Sequence, residues 1–245
     1  MLTVKVEGIK EVKKLLSELE KNQFPFAYAK SLTLVAKTVR SGEYEEMKRV
    51  FDRPTPYTLN SLFVDPATKT MPASRVWLKW GTLQRTQHHL EPQIFGGGRH
   101  HKNFEKALYK VGALPRDMYI VPARKLKLDW YGNIPASTII KMLSWFRAFS
   151  EVGYLANRAA KVKQKKGYSY FAVKSGGGKL RPGIWARSKK GVEPVFMFVR
   201  APKYKKRFDF FGEGGKIFKR EWRPIFNKAM TDALATADAY AKAHK

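Results

Sequence analysis

The chain has 245 residues, with 48 Lys and Arg against 20 Asp and Glu, a formal net charge of +28. Hydrophobic residues make up 44% and aromatics 13%, the content of a chain that folds. The chain contains no cysteine, which excludes disulfide frameworks, thiolate zinc sites, iron–sulfur clusters and cysteine nucleophiles; no apolar run approaches the roughly 20 residues of a membrane-spanning helix.

In chain order, LTVKV at residues 2–6 alternates apolar and polar positions and predicts a short strand. After Gly8, the residues Ile9, Val12, Leu15, Leu16 and Leu19 recur at helical spacing. A second helix is predicted from Pro25, a residue suited to a first turn, to about Phe51. Its stripe is Phe26, Ala29, Leu32, Val35, Ala36, Val39, Met47 and Val50, and Gly42 in its middle predicts a bend. The two helices make residues 1–52 an N-terminal helical hairpin.

Beyond it, the prolines of RPTPYT introduce a helical turn, TLNSLF. SRVWLKWG predicts a strand with Val76, Leu78 and Trp80 on one side and Arg75, Trp77 and Lys79 on the other. Asn103 is placed to cap a short helix that turns Phe104, Ala107, Leu108 and Val111 inward and stops at Gly112. Another helix begins near Pro135 and buries Ile139, Met142, Leu143 and Phe146. Residues 151–167 read as a basic arm or insertion. Strands follow at 168–174, 183–188 and 195–200, separated by SGGGKLRP and KKGVEP, which have the composition of hairpin turns. A last helix is predicted from about Lys216 to Ala243, with Pro224 in its first turns or starting a second segment. The sum is an α+β fold in one domain over 1–245. It has an antiparallel sheet packed by helices on one face, with long basic loops or an exposed arm.

The charge is unevenly placed. Residues 1–52 carry a net of +2, whereas residues 152–207 hold 16 basic groups and a single acid, Glu193. Such asymmetry predicts a surface that faces a polyanion, most commonly nucleic acid. Within the same stretch, aromatics such as Tyr168, Tyr170, Trp185, Phe196 and Phe198 interleave with Lys and Arg. That pattern suits stacking on bases beside neutralised phosphates, and it equally suits a strand buried in a core or subunit interface.

Catalytic patterns are weak. The pairs His88-His89 and His100-His101 lie near Glu91 and Glu105 but lack the spacing of a metal motif. The clusters Gly96 to Gly98, Gly176 to Gly178 and Gly212 to Gly215 match neither phosphate-loop pattern and read as turns. Asp117, Asp129 and Asp209 are separately spaced, unlike the clustered acids of a metal-dependent nuclease. The expectation is therefore no catalytic residue, no metal and no cofactor.

Three stretches carry a resemblance: EPQIFGGGRHHKNFEKALYKVGALP, then YIVPARKLKLDWYGNIPAS, then GIWARSKKGVEPVFMFVRAPKYKKRFDFF. A glycine–arginine turn at Gly96 to Arg99 opens a helix ending in Gly112, Leu114 and Pro115. Asp129, Tyr131, Gly132 and Asn133 precede the next helix. Gly183, Ile184, Trp185 and Arg187 form a strand that pairs with Pro194, Phe196, Phe198 and Val199, followed by Pro202 and Tyr204. In this order the chain resembles the minor tail and tail-completion (head–tail joining) proteins of tailed bacteriophages. The GIKEVKKLL helix and the long helix after it extend the likeness over most of the chain.

The resemblance implies a structural virion protein without enzymatic activity, at the head-proximal end of a tail or neck, made in the host cytoplasm. It implies as partners the tail tube, the tail terminator and head–tail connector proteins, and a cyclic homo-oligomer, a hexamer if it matches the tube. Together with the charge, it implies non-specific contact with packaged double-stranded DNA and none with membrane. The expected DNA-facing residues are Lys161, Lys163, Lys165, Lys166, Lys203, Lys205, Lys206 and Arg207. Trp185, Phe196, Phe198 and Tyr204 are the expected core or subunit contacts. The alternative is a basic nucleic-acid-binding module that is not part of a virion.

Overall fold

Alanines and β-branched residues repeating at helical spacing build the first long element, α1, Phe24–Val50, with Pro25 in its first turn. The computed structural model describes residues 23–79, 89–149, 169–175 and 178–243. The strand expected at 2–6, the first helix of the expected hairpin and the basic arm at 151–167 lie outside them. Between α1 and the end of the chain the described elements are α2 (Pro56–Leu59), β1 (Leu62–Asp65), β2 (Arg75–Leu78), α3 (Glu91–Phe95) and α4 (Asn103–Lys110). They continue with β3 (Tyr119–Pro122), α5 (Ala136–Trp145), β4 (Ser169–Val173), β5 (Gly183–Ser188), β6 (Gly191–Val199) and α6 (Phe210–Ala243). The fold is α+β, with antiparallel sheets. The chain groups into two compact units. Unit 1 comprises 1–84 and 208–245, and unit 2 is the stretch 85–207 between them.

In unit 1, α1 and α6 pack antiparallel. Tyr28 meets the edges of Trp222 and Phe226, and Phe51 meets Phe208 at the other end. Ala27, Val35, Ala36, Val39 and Met47 are buried on α1, each large apolar side chain contributing about 1.5–3 kcal/mol. Phe26, expected in that stripe, is exposed. Gly42 makes no break: α1 runs through it unbroken, and a β-carbon there would overlap Ile217 of α6, so the glycine permits a close helix crossing. The last helix begins at Phe210, earlier than the expected Lys216, and takes Gly212, Gly214 and Gly215 into its first turns. Packing against α1 overrides their poor propensity. In consequence Pro224 sits in the helix interior rather than its first turns, and the helix continues past it. The expected turn TLNSLF also divides. Thr55 caps the single turn of α2 by accepting from the Thr58 amide, and Leu62 and Phe63 already belong to β1. β1 pairs with β2 in the register Leu62 to Leu78 and Asp65 to Arg75, and Arg40 of α1 donates to the Leu62 carbonyl at 2.8 Å.

Unit 2 is a four-stranded antiparallel sheet in the order β3-β6-β5-β4. Its core face carries Ile120, Ile184, Ala186, Phe196 and Phe198, packed with Leu108 of α4 and Met142 and Leu143 of α5. At one point the register shifts: Ile184 opposes Phe196 but Trp185 opposes Pro194, leaving Val195 as the extra residue of a bulge. This explains why consecutive residues, Val195 and Phe196, are both buried. It also extends β6 back to Gly191, so KKGVEP is a tight turn at Lys189-Lys190 followed by strand. Pro194, which cannot donate, lies where β6 has run past the end of β3.

Candidate nucleic-acid interface

The charge divides sharply between the units. Unit 2 holds 27 of the 48 basic side chains and 6 of the 20 acids, a net of +21 out of +28. Two of those few acids are already engaged by the backbone, one buried and one at the surface. Glu105, fully buried, accepts from both terminal nitrogens of Arg99 at 2.7 Å and from the backbone amides of Lys102 and Ile120 at 2.6 and 2.8 Å. Burial alone would push its carboxyl up, but the Arg99 guanidinium and the two amides outweigh it and hold the carboxyl below its usual value. This carboxylate also starts α4. The helix opens after Lys102, so Asn103 is its first residue and not its cap. Asp129 accepts from the amides of Tyr131 and Asn133 at 2.9 and 2.8 Å, closing the turn that its sequence element encodes.

Of the expected phosphate-facing residues, Lys161, Lys163, Lys165 and Lys166 lie outside the described residues. Lys203, Lys205, Lys206 and Arg207 are exposed on a strap that the backbone ties down at two points. Tyr204 and Gly97 exchange backbone hydrogen bonds of 3.0 and 2.7 Å, and the Arg207 amide donates to the Gln93 carbonyl at 2.8 Å. The glycine turn predicted from Gly96 to Gly98 is thus used to receive the strap, with Gly96 and Gly97 at φ of 77° and 87°. On the tied strap Lys203, Lys205, Lys206 and Arg207 are exposed while Tyr204 between them is half-buried.

The aromatic residues separate. Phe196 and Phe198 are core. Trp185 is only half-buried, and as the neighbour in β5 of Ile184 and Ala186 it lies on the opposite face of the sheet, where its indole N–H donates to the Arg181 carbonyl at 3.0 Å. On that same face Arg187 covers Phe171 at 5.3 Å. The sheet therefore splits the expected aromatics, with Phe196 and Phe198 in the core and Trp185 opposite Phe171 on the other face.

The histidine and acid patterns also resolve. His101 stacks on Tyr119 with ring centroids 4.1 Å apart and bonds the Met118 carbonyl. Burial, then the charge of Lys102, pushes the His89 imidazole below its usual value. Among the described residues no group of three His, Asp or Glu side chains is arranged to hold a metal ion, and Glu105 and Asp209 belong to different units.

Sequence reasoning passed over Glu43. It stands in α1 four residues after Val39 and four before Met47, on the buried stripe, and that placement is the signal that marks it. Its side chain is fully buried, and neither carboxylate oxygen has a hydrogen-bond partner among the described residues. Burial, reinforced by Glu213, Glu46 and Asp209, pushes its carboxyl up to about 8; only the nearby Gly214 amide favours the ionised form. An acid that is neutral at physiological pH takes nothing from the cationic character of the chain. No helix of the described residues is long and apolar enough to cross a membrane.

Neither family models nor curated proteins nor solved structures match this chain. The functional reading rests on its own residues.

Proposed function

We propose that this chain is a structural, non-enzymatic assembly protein that contacts a polyanion through unit 2. Within that class, we read it as a tail-completion or neck protein of a tailed bacteriophage, which helps join the tail to a DNA-filled head. The observation that carries the first part is the concentration of +21 in unit 2, with four of its 27 cations on an anchored strap. A charge of this kind attracts phosphate backbone without reading bases, as contact with a packaged genome requires. The second part rests on the ordered motifs from Gly96 to Tyr204 that resemble those of the tail-completion family. On this reading the partners are tail-tube, tail-terminator and connector proteins and packaged double-stranded DNA. The assembly is a cyclic homo-oligomer, located in the virion after assembly in the host cytoplasm.

The test is assembly. Particles made without the chain should accumulate separate heads and tails, and joined, infectious particles would refute the neck reading. Changing Lys203, Lys205, Lys206 and Arg207 to Glu should leave folding intact while impairing joining or DNA retention. If DNA binding is lost but joining is normal, the alternative of a nucleic-acid-binding module outside the virion replaces it.

A further inference from the structure

The C-terminal ends of α4 and α5 are built alike. After α4, the Gly112 amide donates to the Tyr109 carbonyl and the Ala113 amide to the Leu108 carbonyl. After α5, the Arg147 amide donates to the Ser144 carbonyl and the Ala148 amide to the Leu143 carbonyl. Both are Schellman caps, in which the residue after the helix must take a left-handed backbone. In α4 that residue is glycine, at φ 69°; in α5 it is Arg147, at φ 53°. An L-residue carries a conformational cost there that glycine avoids. An arginine kept at a glycine position points to a use for its side chain.

The surroundings supply the use. Arg147, Lys106 and Lys110 line a depression of about 470 Å³ beside α4. Lys110 is shared with a second depression of about 600 Å³, where Arg116 and Lys174 are the other cations. Among the described residues no acid lines either one. None of these five cations enters an ion pair among the described residues, and all five are exposed. The Schellman bonds already satisfy carbonyls at the helix ends, which frees the lysines from capping them. Tyr109 carries the Arg116 guanidinium over its ring at 5.3 Å, which helps set that charge in place.

We propose that this surface binds the phosphodiester backbone of nucleic acid, a second contact area of unit 2 distinct from the strap at Lys203 to Arg207. The inference rests on the polyanion-contacting reading above and gives it a concave site. A helix end with its side chains is about 10 Å across. Duplex DNA presents one charge per roughly 1.7 Å of axis, so about a dozen phosphate charges pass over two such ends, more than the five cations require.

The experiment measures binding of the full chain to a fluorescent mixed-sequence duplex of about 20 base pairs, between about 50 and 200 mM salt. The combined variant Lys106→Gln, Lys110→Gln, Arg147→Gln should reduce the slope of log K against log salt by about three, with an affinity loss on the order of a hundredfold at 0.1 M salt. A charge-matched variant of unit 1, Lys37→Gln, Lys219→Gln, Lys228→Gln, should keep the wild-type slope. The single variant Arg147→Gly separates binding from folding. It should melt at the same temperature as wild type or higher, yet show a slope reduced by about one. A combined variant with the wild-type slope would overturn this site while leaving the proposed function standing. If the wild-type chain fails to bind duplex at the lowest salt, the polyanion reading itself falls, and this site with it. Should the combined variant unfold, Arg147→Gly decides alone, and a wild-type slope there overturns the proposal.

Discussion

Replacing Glu43 with Gln should stabilise unit 1, and the gain should grow as pH rises. The carboxyl is fully buried between α1 and α6, without a hydrogen-bond partner among the described residues, and burial with Glu213, Glu46 and Asp209 raises it from 4.5 to about 8. A folded-state value above the unfolded one means the folded chain holds this proton more tightly. Stability from this group is therefore complete below about pH 4.5, declines between about 4.5 and 8, and is flat above that. A pKa difference of one between folded and unfolded chain corresponds to about 1.4 kcal/mol. The full decline is thus on the order of 5 kcal/mol, of which roughly 3 kcal/mol has been lost by pH 7. Glutamine has the same shape and stays neutral, so the variant should gain up to about 3 kcal/mol at pH 7 and little at pH 4.5. Because the chain has two units, the assay should follow unit 1 alone, for example by hydrogen exchange of α1 amides along a urea series. Carboxyls such as Glu105 titrate in the opposite sense, and the difference between variant and wild type cancels them. Parallel pH profiles for the two proteins, or a Glu43 carboxyl that titrates near 4.5 by carbon NMR, would refute the reasoning.

Three further outcomes are expected. Removing Glu105 by mutation to Ala should destabilise unit 2 by about 3–5 kcal/mol, since the half-buried Arg99 loses its carboxylate and the Lys102 and Ile120 amides lose their acceptor, and a urea midpoint close to wild type would contradict this. Phe196→Ala should cost about 3–5 kcal/mol, whereas Trp185→Ala, on the half-buried face, should cost clearly less; equal costs in urea unfolding would place Trp185 in the core. Gly42→Ala should leave unit 1 as stable as wild type or up to about 1 kcal/mol more stable, because the only overlap is with the end of the half-buried Ile217 side chain, which can rotate away while the helix gains propensity; a clear loss in urea unfolding, recovered by adding Ile217→Ala, would show that the crossing is too tight for a methyl.

Periodicity along the chain located the elements whose side chains alternate between core and solvent. The stop of α4 at Gly112, the inward face of α5 and the three strands of the second half all follow from local pattern. Errors arose where a neighbour distant in sequence decided. Gly212, Gly214 and Gly215 are helical in α6, where Gly214 lies against Val39 and Glu43 of α1, Gly42 lies against Ile217 of α6 within an unbroken helix, and α6 is the partner of α1 among the described residues. The strand start at Gly191 depends on a bulge opposite Trp185, which no local pattern announces.

The candidate surface shows the same division. The amino-acid sequence alone determined the surplus of +28, its concentration in the second half and the exposure of Lys203, Lys205, Lys206 and Arg207, since a run of cations belongs at the surface wherever the chain goes. Only the tertiary structure decided which acids were already spent, because Glu105 meets Arg99 and the Ile120 amide through the fold. It also decided that Glu43 is buried among carboxylates and that Lys106, Lys110, Arg116, Arg147 and Lys174 gather around two helix ends. Charge is a property of composition, but its pairing and desolvation depend on distances of a few ångströms between residues far apart in the chain, and those distances exist only once it has folded.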